Sequence, residues 1–327
     1  MRISDIRQRI STSRALRHCE AQEVAGDSYY PEHHKITDVH YFCAGDPDSP
    51  TTVVFIHGFT LAASSWHFQV EHIRSQARCI VVDYRGHGQS VLDAGRKDAD
   101  IAELNIAGAA DDIVAALEQE DIQGPIIFAG HSLGGMVLCN LLRRYPWWRE
   151  QCAEILLIAT AVDSFASKGV AKILGLPVVE RVRTFAEVSP EQAQQLRSVV
   201  TEFTAPTLKA TVFQSPTPVE VIRFHADLIK NTAITTMVGF LDDLQDHEER
   251  AALADIQDIP GIILVGADDA VTPVSQANAI KEGWPQAAIQ VIPGAGHMLP
   301  IEQPWVVNNA LDTMVSAIAA RESKTNE

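Results

Sequence analysis

Short runs of apolar residues alternate along the chain with amphipathic stretches. Six runs predict buried strands: Thr52–His57, Cys79–Asp83, Pro125–Ala129, Glu154–Ala159, Gly261–Val265 and Ala288–Ile292. They are continuously apolar, which is typical of strands buried on both faces of a parallel sheet. The amphipathic stretches at residues 106–120, 134–145, 274–282 and 304–321 predict helices. This order predicts an α/β fold with a doubly wound, mostly parallel sheet and right-handed crossovers.

Two stretches depart from this alternation. Residues 38–44 predict an antiparallel strand before the first parallel one. Between residues 163 and 257 only helical patterns occur, such as Glu191–Phe203 and Val219–Asn231, and so long a connection between two strands is uncommon. We therefore expect a helical cap at 163–257, inserted into a core of residues 36–162 and 258–327. The alternative is that these helices belong to the main helical layers.

Composition and charge limit which kinds of protein and which binding partners fit this sequence. The chain has 327 residues, of which 46% are hydrophobic, so it is long and apolar enough to bury a large core. A net charge of −16 disfavours a nucleic-acid partner, and no run of about 18 apolar residues predicts a membrane span. The five cysteines are widely spaced and form no CxxC pair, which favours reduced thiols in the cytoplasm over disulfides or a zinc site: Cys19, Cys43, Cys79, Cys139 and Cys152.

Residues 1–35 form a basic N-terminal segment in this interpretation. The first 18 residues contain five arginines and a single acidic residue, Asp5. Such a segment is either a solvated arm that docks on the acidic body or a transit peptide or membrane-surface arm. No apolar region follows it, so it is not a secretory signal.

The strongest local signal for chemistry is the G-x-S-x-G motif within Gly130–Gly135, GHSLGG. It follows a predicted strand and precedes an apolar helix, and its glycines permit a sharp turn between the two. Such a turn projects the Ser132 hydroxyl above the carboxyl end of the sheet. It also places the Leu133 N–H at a helix N-terminus, where it can bind an oxyanion. The alternative is a bystander serine in a glycine-rich connection.

A serine nucleophile needs a base, and His297 is the candidate. It follows the last predicted strand in the sequence PGAGH, whose glycines predict a flexible loop from which imidazole can reach a neighbouring strand end. The alternative is a solvated surface histidine. For His57 and His131, which flank a predicted turn and the nucleophile, a packing or turn-bonding role is expected.

An acid must hold the base in the correct tautomer and stabilise the imidazolium. Asp268 and Asp269 both follow the strand Gly261–Val265, and Asp163 follows Glu154–Ala159, so local pattern leaves all three open. A second oxyanion donor is expected at the Phe59 N–H, after the first parallel strand. The alternative there is an ordinary glycine turn.

Together these segments resemble the α/β-hydrolase fold superfamily, in its group of serine-nucleophile esterases, lipases and cofactor-free haloperoxidases. The matching segments occur in the family's order: His57–Phe59, Asp83–Ser90, Gly130–Gly135, Gly266–Pro273 and Gly296–His297. The resemblance implies a triad of Ser132, Asp269 and His297, because the family's acid stands three residues after the glycine and four before the proline. It also implies a helical cap, an oxyanion hole at Phe59 and Leu133, and no cofactor or metal.

The resemblance further limits the reaction. Epoxide hydrolases and haloalkane dehalogenases of this fold carry an aspartate where this chain has Ser132. We therefore expect a hydrolase of small-molecule carboxylic esters that forms an acyl-enzyme, with lactones and thioesters as further candidate substrates. The alternatives are a C–C bond hydrolase with the same triad and a non-catalytic binding or receptor protein. The sequence specifies neither the acyl chain nor the oligomeric state.

Overall fold

A computed structural model describes Tyr30 and residues 32–90, 103–163 and 212–325. In this part of the chain, eight strands form one sheet in the order β1-β2-β4-β3-β5-β6-β7-β8. The strands are β1 Glu32–Ile36, β2 Val39–Ala44, β3 Thr52–Ile56, β4 Arg78–Asp83, β5 Ile126–His131, β6 Cys152–Ile158, β7 Gly261–Gly266 and β8 Ala287–Ile292. Strand β2 is antiparallel to β1 and β4, and all other neighbours are parallel. The predicted mostly parallel sheet and its antiparallel strand near residues 38–44 are thus confirmed.

Helices cover both faces of this sheet. They are α1 His67–Ile73, α2 Ile106–Leu117, α3 Leu133–Arg144, α4 Pro146–Gln151, α5 Val219–Asn231, α6 Ile234–Gly239, α7 Leu241–Asp246, α8 Arg250–Ile256, α9 Val274–Gly283, α10 Leu299–Glu302 and α11 Pro304–Thr325, with a 3₁₀ turn at Ala63–Trp66. The four predicted helices and Val219–Asn231 are confirmed, whereas the pattern at Glu191–Phe203 lies outside the described residues. No described helix is both long and apolar enough to cross a bilayer.

Two apolar layers hold the helices on the sheet. Along β3, Val54 and Ile56 face the layer that contains α2, α3, α8 and α9. Val53 and Phe55 point to the opposite layer, which contains α1 and α11. Successive residues of a strand point to opposite faces, so a strand buried on both sides must be apolar throughout. This burial explains why continuous apolar runs predicted the central strands correctly.

The structure corrects two expected boundaries. The sheet already begins at Glu32, inside the segment 1–35 that was expected to precede the core. Strand β1 is an edge strand with mostly exposed side chains, so it needs no apolar run and gave no signal. Helix α8 lies within the expected cap range, but it packs on α3 through Leu253 and Ile256 in the core layer.

Candidate active site

Ser132 occupies a strained turn between β5 and α3. Its φ of 53° and ψ of −120° lie in a region that a non-glycine residue rarely adopts, at a cost of about 1–3 kcal/mol. Surrounding hydrogen bonds hold the turn: the Ser132 N–H donates to the Ile158 carbonyl at 2.9 Å, and the Thr160 hydroxyl donates to the Ser132 carbonyl at 2.7 Å. The hydroxyl of Ser132 is thereby presented at the carboxyl end of the sheet.

The glycines of the motif allow β3, β5 and α3 to approach closely. A Cβ on Gly134 would lie 2.1 Å from the Ile56 carbonyl oxygen, and one on Gly130 would lie 2.7 Å from the Gly134 carbonyl oxygen. These distances are far below van der Waals contact, and backbone groups cannot swing aside as a side chain can. This backbone geometry therefore requires glycine at both positions.

His297 joins two other predicted residues in a continuous hydrogen-bonded chain. Its Nε2 lies 2.9 Å from the Ser132 hydroxyl, and its Nδ1 lies 2.9 Å from Asp269 Oδ2. In the arrangement that serves catalysis, Nδ1–H donates to the carboxylate and Nε2 accepts from the hydroxyl. His297 and Asp269 are buried, while Ser132 is partly accessible. The imidazole is thus held by Asp269 on one side and meets the partly accessible Ser132 hydroxyl on the other.

The loop before His297 is closely packed at Gly296, whereas Gly294 is exposed with open space around it. A Cβ on Gly296 would lie 2.5 Å from the Val212 carbonyl oxygen. That same carbonyl accepts the His297 N–H at 2.9 Å. Gly296 is therefore required because another backbone passes close to it.

Asp269 is fixed by several donors besides His297. Its carboxylate accepts the N–H groups of Val271 and Thr272 at 2.8 and 2.9 Å, and the Thr272 hydroxyl at 2.8 Å. Burial by itself would raise the pKa of Asp269, but the neighbouring His297 and these hydrogen bonds outweigh it and lower the pKa. The carboxylate is consequently ionised over the ordinary pH range.

The other two candidate acids lie elsewhere. Asp268 is exposed and its N–H donates to the Ala295 carbonyl. Asp163 accepts a hydrogen bond from Arg250 at 2.6 Å. Among the three aspartates left open by local pattern, the structure brings Asp269 to the imidazole.

The two expected oxyanion donors belong to segments that adjoin Ser132. Leu133 begins α3, where the first N–H groups of a helix have no intrahelical acceptor. The Gly58–Phe59 turn lies against the elbow, since a Cβ on Gly58 would be 3.2 Å from Ser132 Cβ. Neither N–H, of Phe59 or of Leu133, donates to another described residue.

His57 and His131 have the expected packing and turn-bonding roles. His57 stacks on Tyr84 with ring centroids 4.1 Å apart and hydrogen-bonds through Nδ1 to the Gly58 carbonyl at 2.9 Å. His131 Nε2 hydrogen-bonds to the His297 carbonyl at 3.0 Å. Burial lowers the pKa of both rings, to about 3 for His131, so both are neutral near pH 7.

Sequence reasoning missed several groups that position the site. Thr272 donates to Asp269 and lies 3.2 Å from His297 Nδ1. The buried carboxylate of Glu302 accepts the N–H groups of Gly296, Gln214 and Ser215, and so ties the His297 loop to the segment before α5. Of these, only Thr272 carried a signal, because it lies three residues after Asp269 in the same strand-end loop.

An apolar cluster lies over this end of the sheet, and we call it the cap cluster. It joins α5 to residues that adjoin the hydrogen-bonded chain, since Leu61 follows the Phe59 turn and Met298 follows His297. Its buried members are Leu61, Ala62, Val212, Phe213, Val221, Phe224, Leu228, Met298 and Ile301.

Comparison with known proteins agrees with this geometry. The chain is 27% identical over 266 residues to the dihydrolipoyllysine-residue acetyltransferase component of the acetoin cleaving system from Pseudomonas putida, over 80% of this chain and 62% of that one. It therefore spans less than two thirds of that relative's length. It is 24% identical over 261 residues to a pimeloyl-(acyl-carrier protein) methyl ester esterase from Pectobacterium carotovorum subsp. carotovorum, covering 78% and 90% of the two chains.

A solved structure shares the fold. A thermophilic esterase from Thermogutta terrifontis superposes with a TM-score of 0.67 at 24% identity, over 86% of this chain and 93% of that one. The sequence pattern of the alpha/beta hydrolase family matches residues 53–309, which include every strand from β3 to β8 apart from the first residue of β3. With the sheet order, the elbow and this match in agreement, the chain belongs to the alpha/beta hydrolase family.

Proposed function

We propose that this protein is a serine hydrolase of carboxylic esters, with Ser132 as nucleophile, His297 as general base and Asp269 as the orienting acid. The observation that carries the proposal is the unbroken hydrogen-bonded chain of these three side chains at a strand-to-helix elbow. The similarity to a methyl ester esterase and to the fold of a thermophilic esterase supports ester hydrolysis.

The first half of the reaction forms an acyl-enzyme. Ser132 Oγ attacks the ester carbonyl while His297 Nε2 takes the hydroxyl proton, and Asp269 stabilises the imidazolium that results. The carbonyl oxygen becomes an oxyanion, which the N–H groups of Phe59 and Leu133 bind. When the tetrahedral intermediate collapses, the C–O bond to the alcohol breaks and His297 returns the proton to the leaving alkoxide.

The second half releases the acid. A water molecule gives its proton to His297 Nε2 as its oxygen attacks the acyl carbon, and a second oxyanion forms in the same place. Collapse breaks the bond to Ser132, whose oxygen recovers the proton from His297. The net reaction converts ester and water into carboxylic acid and alcohol without any cofactor.

We infer a small-molecule ester, lactone or thioester, bound beneath a helical cap formed by residues from the range 163–257. The apolar character of the cap cluster supports an apolar acyl group. A cytoplasmic location is supported by the thiols of Cys43, Cys79, Cys139 and Cys152, which are all buried and free.

Replacement of the nucleophile tests the proposal. We expect Ser132→Ala to lower kcat for p-nitrophenyl esters by on the order of 10⁴-fold or more and to abolish labelling by a fluorophosphonate. Ser323→Ala, on the exposed face of α11, is the matched control and should behave as the wild type. Undiminished turnover in Ser132→Ala would refute the assignment.

A panel of substrates tested on the wild-type protein distinguishes ester hydrolysis from the two alternative functions. A graded panel of acyl esters, lactones and thioesters is compared with a vinylogous diketone. Faster cleavage of the diketone than of every ester would identify a C–C bond hydrolase. Absence of both turnover and labelling in the wild type would identify a binding protein.

A further inference from the structure

The hairpin of β1 and β2, at the edge of the sheet, brings three metal-ligating side chains together. Glu32 of β1 pairs directly with Cys43 of β2, and His34 stands two residues further along β1. Side chains at alternate positions of a strand share a face, and so do directly paired residues. One ligand atom from each residue, the carboxylate oxygen, the imidazole nitrogen and the thiol sulfur, lies within 4.8 Å of the others.

The imidazole of His34 is held in place by stacking, but one of its nitrogens has no hydrogen-bond partner among the described residues. Its ring stacks on Tyr41 with centroids 4.9 Å apart and an interplanar angle of 13°. Its Nε2 is shielded from solvent and has no hydrogen-bond partner in the part of the chain that the structure describes. Glu32 Oε2 lies 3.8 Å away, beyond hydrogen-bond distance. A shielded nitrogen without a partner costs free energy, and a ligand would remove that cost.

The donor set selects the ion. Sulfur, imidazole nitrogen and carboxylate oxygen together suit Zn²⁺, whereas Mg²⁺ and Ca²⁺ prefer oxygen alone. A thiolate and a carboxylate balance the two positive charges of the ion, and Arg78 and Glu120, which lie near Cys43, form an ion pair with each other. In a tetrahedral zinc site the ligand atoms are about 3.3–3.8 Å apart, given bonds of 2.0–2.3 Å. The exposed side chain of Glu32 and the partly exposed side chain of His34 would have to shift slightly toward the buried Cys43 to reach that distance.

We propose that Glu32, His34 and Cys43 form a zinc(II) site, with water as the fourth ligand, that fastens edge strand β1 to β2. Three strand spacings, about 14 Å, separate β2 from β5, which carries Ser132. The ion therefore takes no part in ester cleavage. Its effect is on stability, because an ion that binds only the folded chain shifts unfolding by mass action.

Cobalt(II) substitution provides a direct test on the full chain. Co²⁺ bound by a thiolate gives an intense charge-transfer absorption in the near ultraviolet. We expect one equivalent of Co²⁺ to produce this band in the wild type and Zn²⁺ to displace it. Cys43→Ser should lose the band, and Glu32→Gln and His34→Phe should weaken binding by at least about tenfold. The phenyl ring preserves the stack on Tyr41.

Two controls separate this site from unspecific binding. His33→Phe changes the neighbouring residue on the opposite face of β1, and Cys79→Ser removes a buried thiol from β4. Both should bind Co²⁺ as the wild type does, and Zn²⁺ should raise the Tm of both. The proposal is overturned if the wild type shows no thiolate band, or if Glu32→Gln and His34→Phe bind as tightly as His33→Phe. The last comparison holds even where Cys43→Ser does not fold.

Discussion

At the residue scale, the two adjacent aspartates after β7 differ completely in surroundings. Asp269 is 4% exposed and accepts hydrogen bonds from His297, Val271 and Thr272. Asp268 is exposed and contributes only its backbone N–H to the loop. Because the two residues are adjacent and have the same side chain, a variant of one is a matched control for the same variant of the other.

We expect Asp269→Asn to lower kcat by about 10³–10⁴-fold and Asp268→Asn to leave it within about twofold. An amide at position 269 favours the wrong tautomer of His297 and no longer stabilises the imidazolium. Steady-state hydrolysis of p-nitrophenyl esters measures both variants, with circular dichroism as the check on folding. Equal losses in the two variants would place the acid elsewhere.

The site residues differ in how much the sequence reveals of them. Ser132 and His297 stand out in the sequence because each follows an apolar strand and lies beside glycines, whereas only the resemblance to the family separated Asp269 from the other two candidate aspartates. Glu302 and the Val212 carbonyl could not be predicted. A carboxylate that binds backbone N–H groups looks like any surface glutamate in sequence, and a backbone carbonyl has no letter of its own.

At the scale of elements, α5 links the expected cap to the site. Its buried face is built from Val221, Phe224 and Leu228, spaced three and four residues apart, so one side of the helix packs in the cap cluster. Helices with such spacing are predictable from sequence, as α5 was. Strand β1 and helix α8 show the limit: the first has no apolar run, and the sequence does not tell which layer the second joins.

Enlarging the cap cluster should change substrate preference. Phe224→Ala leaves a cavity in the cap cluster, and each additional methylene that enters it gains about 0.8 kcal/mol. We expect kcat/KM for longer acyl chains to rise about tenfold relative to short ones. Val219→Ala, half exposed on the same helix, should keep the wild-type profile. Fluorophosphonate labelling of Ser132 confirms that each variant is folded, and identical profiles in both would place the acyl pocket elsewhere.

At the scale of the whole molecule, buried histidines make the fold sensitive to acid. Burial lowers the pKa of His87 and His225 to about 4 and that of His131 to about 3, from 6.5. The unfolded chain therefore binds more protons than the folded chain between these values. The stability present above about pH 6.5 must be lost progressively as the pH falls toward 4.

We expect the free energy of unfolding to decrease by up to about 1.4 kcal/mol per pH unit for each such histidine between pH 6 and 5. His87→Asn keeps a donor for the Arg85 carbonyl but does not titrate. The free energy of unfolding of this variant should therefore decrease less over that interval, by the contribution of one histidine, up to about 1.4 kcal/mol per pH unit. Urea unfolding at several pH values measures both slopes. Parallel curves for the wild type and the variant would show that His87 is protonated in the folded state.

The contact of the Val212 carbonyl with the His297 loop has a consequence for protein engineering. That carbonyl and the Glu302 carboxylate join the segment before α5 to the loop that carries His297. A chimaera that exchanges the cap of this protein for another must therefore reproduce the backbone path at position 212, whatever side chain stands there. A joint placed after residue 215 would preserve these bonds, whereas a joint placed before residue 212 would replace the segment that makes them and so displace His297.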